Sequence, residues 1–262
     1  MIGRTLAHYR IEELLGAGGS GTVYRAEDTR SGVAVAIKVP HPALIATAAA
    51  RDGWLASARR ALALRHPHIV ATLDVCDTGD MAFVAMEIVG RRTLRERVEH
   101  GPVPLRETLA TGRAVAAALA FAHGLGVLHA DLKPENVLLA ANGAAKVADF
   151  CTQAVADGGP RTLDATPEYM APETALGRPP EAATDAYGLG LLLYEMISGH
   201  PPFGGAQVAA VATRVASEPP PPLPAATPTA LQELIEALLA MRPADRPRAA
   251  EAADRLAAMG GA

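Results

Sequence analysis

The sequence predicts an α+β chain, with strands gathered in its first third and helices in the remainder. Three observations predict this. The first forty residues alternate apolar and small or polar positions between glycine-rich and polar turns. Beyond Gly90, long alanine- and leucine-rich runs carry apolar residues at helical spacing. Prolines then cluster at 201–202 and 219–224, between those runs, where they stop helices.

Each element follows from its local pattern. Residues 9–15 and 22–27 read as strands on either side of Gly16-Ala-Gly-Gly-Ser-Gly21. A polar turn at 28–32 precedes a third strand over 33–39. There Val33, Val35, Ile37 and Val39 share one face, and Ala34, Ala36 and Lys38 share the other. A lysine on the small-residue face of a strand has room for a ligand beside it. Residues 43–65 read as helix interrupted by Gly53, and 69–74 and 81–86 as two more strands. The character changes at 87–90. Helices are expected at 93–99, 105–123, 184–198, 205–216 and 228–240, with short strands at 137–139 and 146–148. There is no internal repeat.

Composition narrows the function classes. Of 262 residues, 50% are hydrophobic and 20% charged, enough to bury a sizeable core. The net charge of −4, with acids and bases interspersed, gives no broad basic footprint for nucleic acid. Two cysteines, Cys76 and Cys151, are too few for a disulfide scaffold and fit a reducing compartment. No apolar run reaches the roughly 18 residues of a membrane span, and residues 1–10 lack the apolar core of a signal peptide. A cytoplasmic location is therefore expected. Positive charge is carried almost wholly by arginine: of 24 basic residues only Lys38, Lys133 and Lys146 are lysines. A compact ammonium group reaches a phosphate through a narrow space in a way that a guanidinium does not.

Two motifs carry chemistry. Gly16-x-Gly18-x-x-Gly21 would serve a dinucleotide only if a helix followed it. A strand follows instead, so the glycines form a hairpin whose backbone N–H groups can lie over phosphates. The second motif is His129-Ala-Asp131-Leu-Lys133-Pro-Glu-Asn136, followed thirteen residues later by Asp149-Phe-Cys151. It supplies a carboxylate acceptor, a phosphate-binding cation and two oxygen ligands suited to Mg²⁺. The short strands at 137–139 and 146–148 would bring Asn136 and Asp149 together.

With these residues in view, the chain resembles a bacterial eukaryotic-type (Hanks-type) serine/threonine protein kinase over nearly its whole length. The resemblance rests on the glycine loop, Val35-Ala-Ile-Lys38, Asp131 to Asn136, Asp149-Phe150 and Thr166-Pro-Glu-Tyr-Met-Ala-Pro-Glu173. It extends through Asp185-Ala-Tyr-Gly-Leu-Gly190, Tyr194 to Phe203 and Arg242-Pro-Ala-Asp-Arg246-Pro. It implies a bilobal kinase-like fold spanning 1–262: a small β-rich lobe with one main helix (1–86), a hinge (87–90) and a larger helical lobe (91–262). It implies transfer of the γ-phosphate of ATP to protein serine or threonine, with Mg²⁺ or Mn²⁺. Gly16, Gly18, Gly21 and Lys38 would hold the phosphates. Adenine would lie between Val23 and Ala36 above and Leu138 below, against the backbone of Glu87 and Val89, behind Met86. Asp131 would accept the hydroxyl proton, Lys133 would contact the γ-phosphate, and Asn136 and Asp149 would bind the metal. Glu173 and Arg246 would form a buried structural pair, and Thr166 would help to seat the substrate. Pairing of two copies through the strand-rich lobe is compatible with the resemblance, but no residue compels it.

Three departures set a second reading beside the first. The position of the helix glutamate that should pair with Lys38 falls on Ser57, and no glutamate occurs from 28 to 86. Asp149 or bound phosphates would then have to partner the lysine. Ala130 stands where many kinases carry an arginine that binds a phosphorylated activation segment. Phosphorylation of Thr152, Thr162 or Thr166 therefore lacks its main receptor. Cys151 replaces a glycine and narrows the backbone freedom there. These changes keep open a pseudokinase that binds nucleotide and acts as a scaffold or switch. A small-molecule kinase on the same fold is the third reading, and the segment 166–173 speaks against it. His41, His66 and His68 have poor spacing for a metal site. The run 219–222 reads as an inter-helix loop in preference to a polyproline docking motif.

Overall fold

The computed structural model describes residues 1–150, 167–205 and 207–260; Cys151, Thr152, Thr162 and Thr166 lie outside the described residues. In the first part, strands β1 (Thr5–Leu6), β2 (Tyr9–Gly18), β3 (Gly21–Asp28) and β4 (Ala34–Pro40) are followed by helix α1 (Ala48–Ala61). Strands β5 (Thr72–Asp77) and β6 (Ala82–Met86) complete it. The six strands form one antiparallel sheet in the order β1-β2-β3-β4-β6-β5.

Period-two alternation gives this sheet two separate cores. Val35 and Ile37 of β4 join Phe83 and Ala85 of β6, with Tyr9 and Ile11, on one face. Ala36, Val84 and Met86 lie on the other face, against Trp54, Leu55 and Ala58 of α1. Lys38 shares that second face by register, paired to Val23 on β3 and Val84 on β6. Val33, expected to share the face of Val35 and Ile37, precedes the strand and is exposed.

Helix α1 is capped by Thr47, whose side chain accepts from Ala50 N, and ends in Arg59 and Arg60, which suit the negative end of its dipole. Gly53 does not interrupt it. A glycine inside a helix costs only about 1 kcal/mol, which the burial of Trp54 beside it outweighs. β5 starts three residues later than the pattern suggested, because 66–70 form a turn whose Val70 N donates to Val147 O.

The second part is helical: α2 (Leu94–Val98), α3 (Leu105–Gly124), α4 (Pro172–Ala175), α5 (Ala182–Ser198), α6 (Val208–Ser217), α7 (Thr229–Leu238) and α8 (Ala249–Gly260). The hairpin β7 (Val137–Leu139) and β8 (Ala145–Val147) stands between α3 and α4. α5 is almost wholly buried. Its closeness to α7 depends on Gly190, where a Cβ would lie 2.9 Å from Leu238 Cβ. β1, α4 and α8 had no separate signal in the sequence reading.

The β7–β8 hairpin joins the two parts. Leu139 N donates to Arg92 O, and Val147 N to His68 O, each at 2.8 Å. The strand-rich sheet, the segment after Met86 and the helical part therefore meet at one cleft. The arrangement is a bilobal kinase fold. Among the described residues, no helix is long and apolar enough to cross a membrane.

Candidate active site

The glycine hairpin forms the roof of the cleft. Gly21 has φ +144°, and a Cβ there would sit 2.2 Å from Val39 O, so this position admits only glycine. At Gly16 and Gly18 a Cβ would meet nothing within 4 Å. Their neighbours therefore do not force glycine there, and both residues line the cleft. Val23, Ala36 and Leu138 line the same cleft, together with Glu87 and Val89.

Lys38 is buried, and its Nζ lies 2.7 Å from Asp149 Oδ2. Asp149 is thus the partner that the absence of a glutamate at Ser57 called for. Burial alone would push the Asp149 carboxyl up; the Lys38 charge and hydrogen bond outweigh it and hold the group below the usual carboxylate range. Asp149 sits in the left-handed region at φ 64°, as does Ala130. Such backbone costs about 1–2 kcal/mol per residue, so both conformations need support from their surroundings.

Asp185 on α5 supplies that support for the loop. Its Oδ1 accepts from Ala130 N at 2.7 Å, and its Oδ2 accepts from His129 N and His123 Nε2, both at 2.8 Å. His129 then links the loop to the residue that follows β8. Its Nδ1 accepts from Asp131 N, which assigns the proton to Nε2, 2.8 Å from Ala148 O. The ring meets Phe150 edge-on at 4.8 Å.

Within the loop, Lys133 Nζ is 3.1 Å from Asp131 Oδ2. Asn136 Nδ2 donates to Asp131 O at 2.8 Å and reaches Asp131 Oδ2 at 3.5 Å. That leaves Oδ1 as the amide's acceptor. Asn136 O in turn accepts from Ala148 N, which fixes the strand leading into Asp149. The oxygen donors Asn136 Oδ1 and the Asp149 carboxylate are the hard ligands Mg²⁺ takes, usually alongside phosphate oxygens. The donor set, and the cleft that the glycine hairpin shares with Lys38, Asn136 and Asp149, both fit a metal–nucleotide ligand.

Glu173 and Arg246 form the expected pair, with two parallel bonds of 2.8 Å, both side chains buried. Thr184 Oγ1 donates to the same Glu173 oxygen as Arg246 Nη1. Burial works against the Glu173 charge, but these donors hold its carboxyl below the usual range. His66 and His68 serve packing: His66 stacks on Phe121, and His68 Nδ1 lies 3.0 Å from Ala145 O.

Two interactions were not foreseen. Lys146 Nζ binds Glu87 Oε1 at 2.6 Å, and that oxygen also accepts from Ala71 N, so the segment after Met86 is fastened to β8. The lone lysine in a short apolar hairpin was a signal, but its partner lies fifty-nine residues away. The second centres on Arg95 of α2, which donates to Glu135 Oε1 at 2.9 Å, to Glu195 Oε1 at 2.7 Å and to the Tyr169 hydroxyl oxygen.

The fold and this cleft define a class, and comparison with known proteins agrees. Residues 9–256 match the protein kinase domain family. Serine/threonine-protein kinase PknA of Mycobacterium tuberculosis is 36% identical over 258 residues, covering 94% of this chain and 60% of that protein. Serine/threonine-protein kinase PkaA of Streptomyces coelicolor is 38% identical, covering 92% and 48%. Serine/threonine-protein kinase pkn3 of Myxococcus xanthus is 35% identical, covering 96% and 50%. The chain belongs to the protein kinase family, within its bacterial Hanks-type branch. It spans about half to three fifths of the length of these relatives.

Proposed function

We propose that the chain is a serine/threonine protein kinase domain, with 87–90 as its hinge, that transfers the γ-phosphate of Mg·ATP to protein hydroxyls. The observation that carries this reading is the Lys38–Asp149 pair at 2.7 Å. It gives the buried lysine a carboxylate partner within the cleft although α1 supplies none, and so keeps the cation at the nucleotide site without the helix glutamate.

Each residue then has a role its position supports. The backbone of 16–21 and Lys38 bind the phosphates. Asn136 and Asp149 would hold Mg²⁺, or Mn²⁺ in its place, which when bound offsets phosphate charge and orients the nucleotide. Asp131 orients the acceptor hydroxyl and takes its proton. Lys133, beside Asp131, places positive charge where the transferred group gains negative charge. Little covalent chemistry is asked of the protein, so positioning and electrostatics suffice. Ala130 has no side chain that could receive a phosphate, which supports control by something other than activation-segment phosphorylation.

A second reading, a nucleotide-binding scaffold, draws on the same pair: Asp149, the metal carboxylate, is engaged by Lys38. Transfer of labelled γ-phosphate to casein and to the chain itself, with Mg²⁺ and then Mn²⁺, separates the two. The kinase reading expects transfer that vanishes in Asp131→Asn. Nucleotide binding without transfer above that variant would establish the scaffold instead.

A further inference from the structure

The run Pro219-Pro-Pro-Pro-Leu-Pro224 joins α6 to α7 and lines no part of the nucleotide cleft. Elementary sterics fix its shape. Proline holds φ near about −65°, and a residue before proline is pushed to ψ of about 120–160°. Residues 219–221 are under both constraints, and Leu223 precedes Pro224. Glu218, before Pro219, is extended at φ −116° and ψ 142°. With no cis peptide bond among the described residues, this backbone is polyproline II, a left-handed helix of roughly three residues per turn.

That period gives the segment three edges, and burial follows it. Pro220 and Leu223 share one edge and are part-buried, with Leu223 packed on the large core of the helical part. Pro219 and Pro222 share the second edge, Pro221 and Pro224 the third, and all four are exposed. Both ends are fastened. Glu218 N donates to Arg214 O at 2.7 Å, and its carboxylate accepts from Arg214 Nε at 3.2 Å. Pro224 O accepts from Thr227 N at 2.9 Å and from Thr227 Oγ1 at 2.7 Å. Between these ends, no donor among the described residues reaches the carbonyls of 219–223.

A connection between two helices accounts for the inward edge. It does not account for two outward edges of proline rings beside unpaired carbonyls. Aromatic-lined grooves read that surface: ring faces pack on the prolines, and an indole or phenol donates to the carbonyls. This chain has no such groove to offer a second copy of itself, since none of its four phenylalanines, five tyrosines and one tryptophan is exposed. We propose that residues 219–224 are a docking ligand for a different protein domain, one whose groove is lined by tryptophan and tyrosine. The fastened ends hold the ligand in its bound shape, so little ordering entropy is lost on binding. The proposal is independent of the phosphotransfer reading.

The test titrates the intact chain into a panel of isotope-labelled WW domains and follows the indole signal of the groove tryptophan. Four chains are compared: wild type, Pro219→Ala/Pro222→Ala, Pro221→Ala/Pro224→Ala and Pro220→Ala. Wild type should bind at least one domain of the panel. Each outward-edge double variant should weaken that binding about tenfold or more, and Pro220→Ala, on the inward edge, should stay within about threefold of wild type. Melting temperatures should fall only slightly in all three variants, because a surface proline acts mainly through the unfolded chain. No binding to any domain of the panel, or binding that all four chains share equally, would overturn the proposal. So would a loss in Pro220→Ala as large as in the double variants, which would assign the effect to chain stiffness and not to the exposed edges.

Discussion

Arg246→Met should be among the most destabilising single substitutions in the helical part. The wild-type guanidinium makes two 2.8 Å bonds to Glu173 and also donates to Ala183 O, Ala240 O and Met241 O. Its removal leaves a buried carboxylate with only Thr184 as side-chain donor, and three carbonyls without that donor. Breaking one side of such a pair costs about 3–5 kcal/mol. At roughly 2–4 °C per kcal/mol for a chain of this size, the melting temperature should fall by about 6–20 °C. Differential scanning fluorimetry at pH 7 reads this directly. The double variant Glu173→Gln/Arg246→Met should fall less than Arg246→Met alone, because the orphaned charge goes with its partner. A drop smaller than about 3 °C for the single variant would refute the reasoning, given the same per-kcal scaling. So would a double variant that loses the sum of the two singles.

Two further outcomes follow from the charge states. Asp149 and Glu173 both have folded carboxyls below the usual range, so each contributes stability that is fully present above the unfolded values of about 4 and is lost as pH falls through the folded ones. The melting temperature should hold from pH 7 to about 5 and then decline; in Arg246→Met the acid decline should be shallower, and an identical profile in both would contradict the assignment for Glu173. Burial, followed by the Asp74 hydrogen bond and charge, pushes the Cys76 thiol up to about 12. Alkylation at pH 8, resolved by peptide, should therefore proceed at least about a hundredfold more slowly at Cys76 than in a denatured control, and comparable rates would refute its inertness.

The two-faced character of β4 was legible because it is a local period of two, and the structure places its faces in two separate cores. The same is true of the glycine hairpin, where a strand in place of a helix after Gly21 excluded a dinucleotide fold. The Asp131 to Asn136 loop was legible because its chemistry sits within six residues. What escaped notice depends on distance in the chain. Arg95 and Glu195 are one hundred residues apart, and an arginine on a short polar helix looks like a solvated face until the partner helix is in place. Gly53 misled for the opposite reason: its local penalty was visible, but the buried Trp54 that overrides it was not. β1 spans two residues and α4 four, too short for any periodicity to register.

The central claim is that Lys38 works through Asp149 and needs no carboxylate on α1. The most direct measurement is the γ-phosphate transfer rate of Ser57→Glu against wild type, with Lys38→Met as the inactive reference. The account predicts clear transfer by wild type, loss of it in Lys38→Met, and a Ser57→Glu rate within about threefold of wild type, a difference under 1 kcal/mol in barrier. A gain of about a hundredfold or more in Ser57→Glu, close to 3 kcal/mol, would show a lysine still lacking its partner and would contradict it.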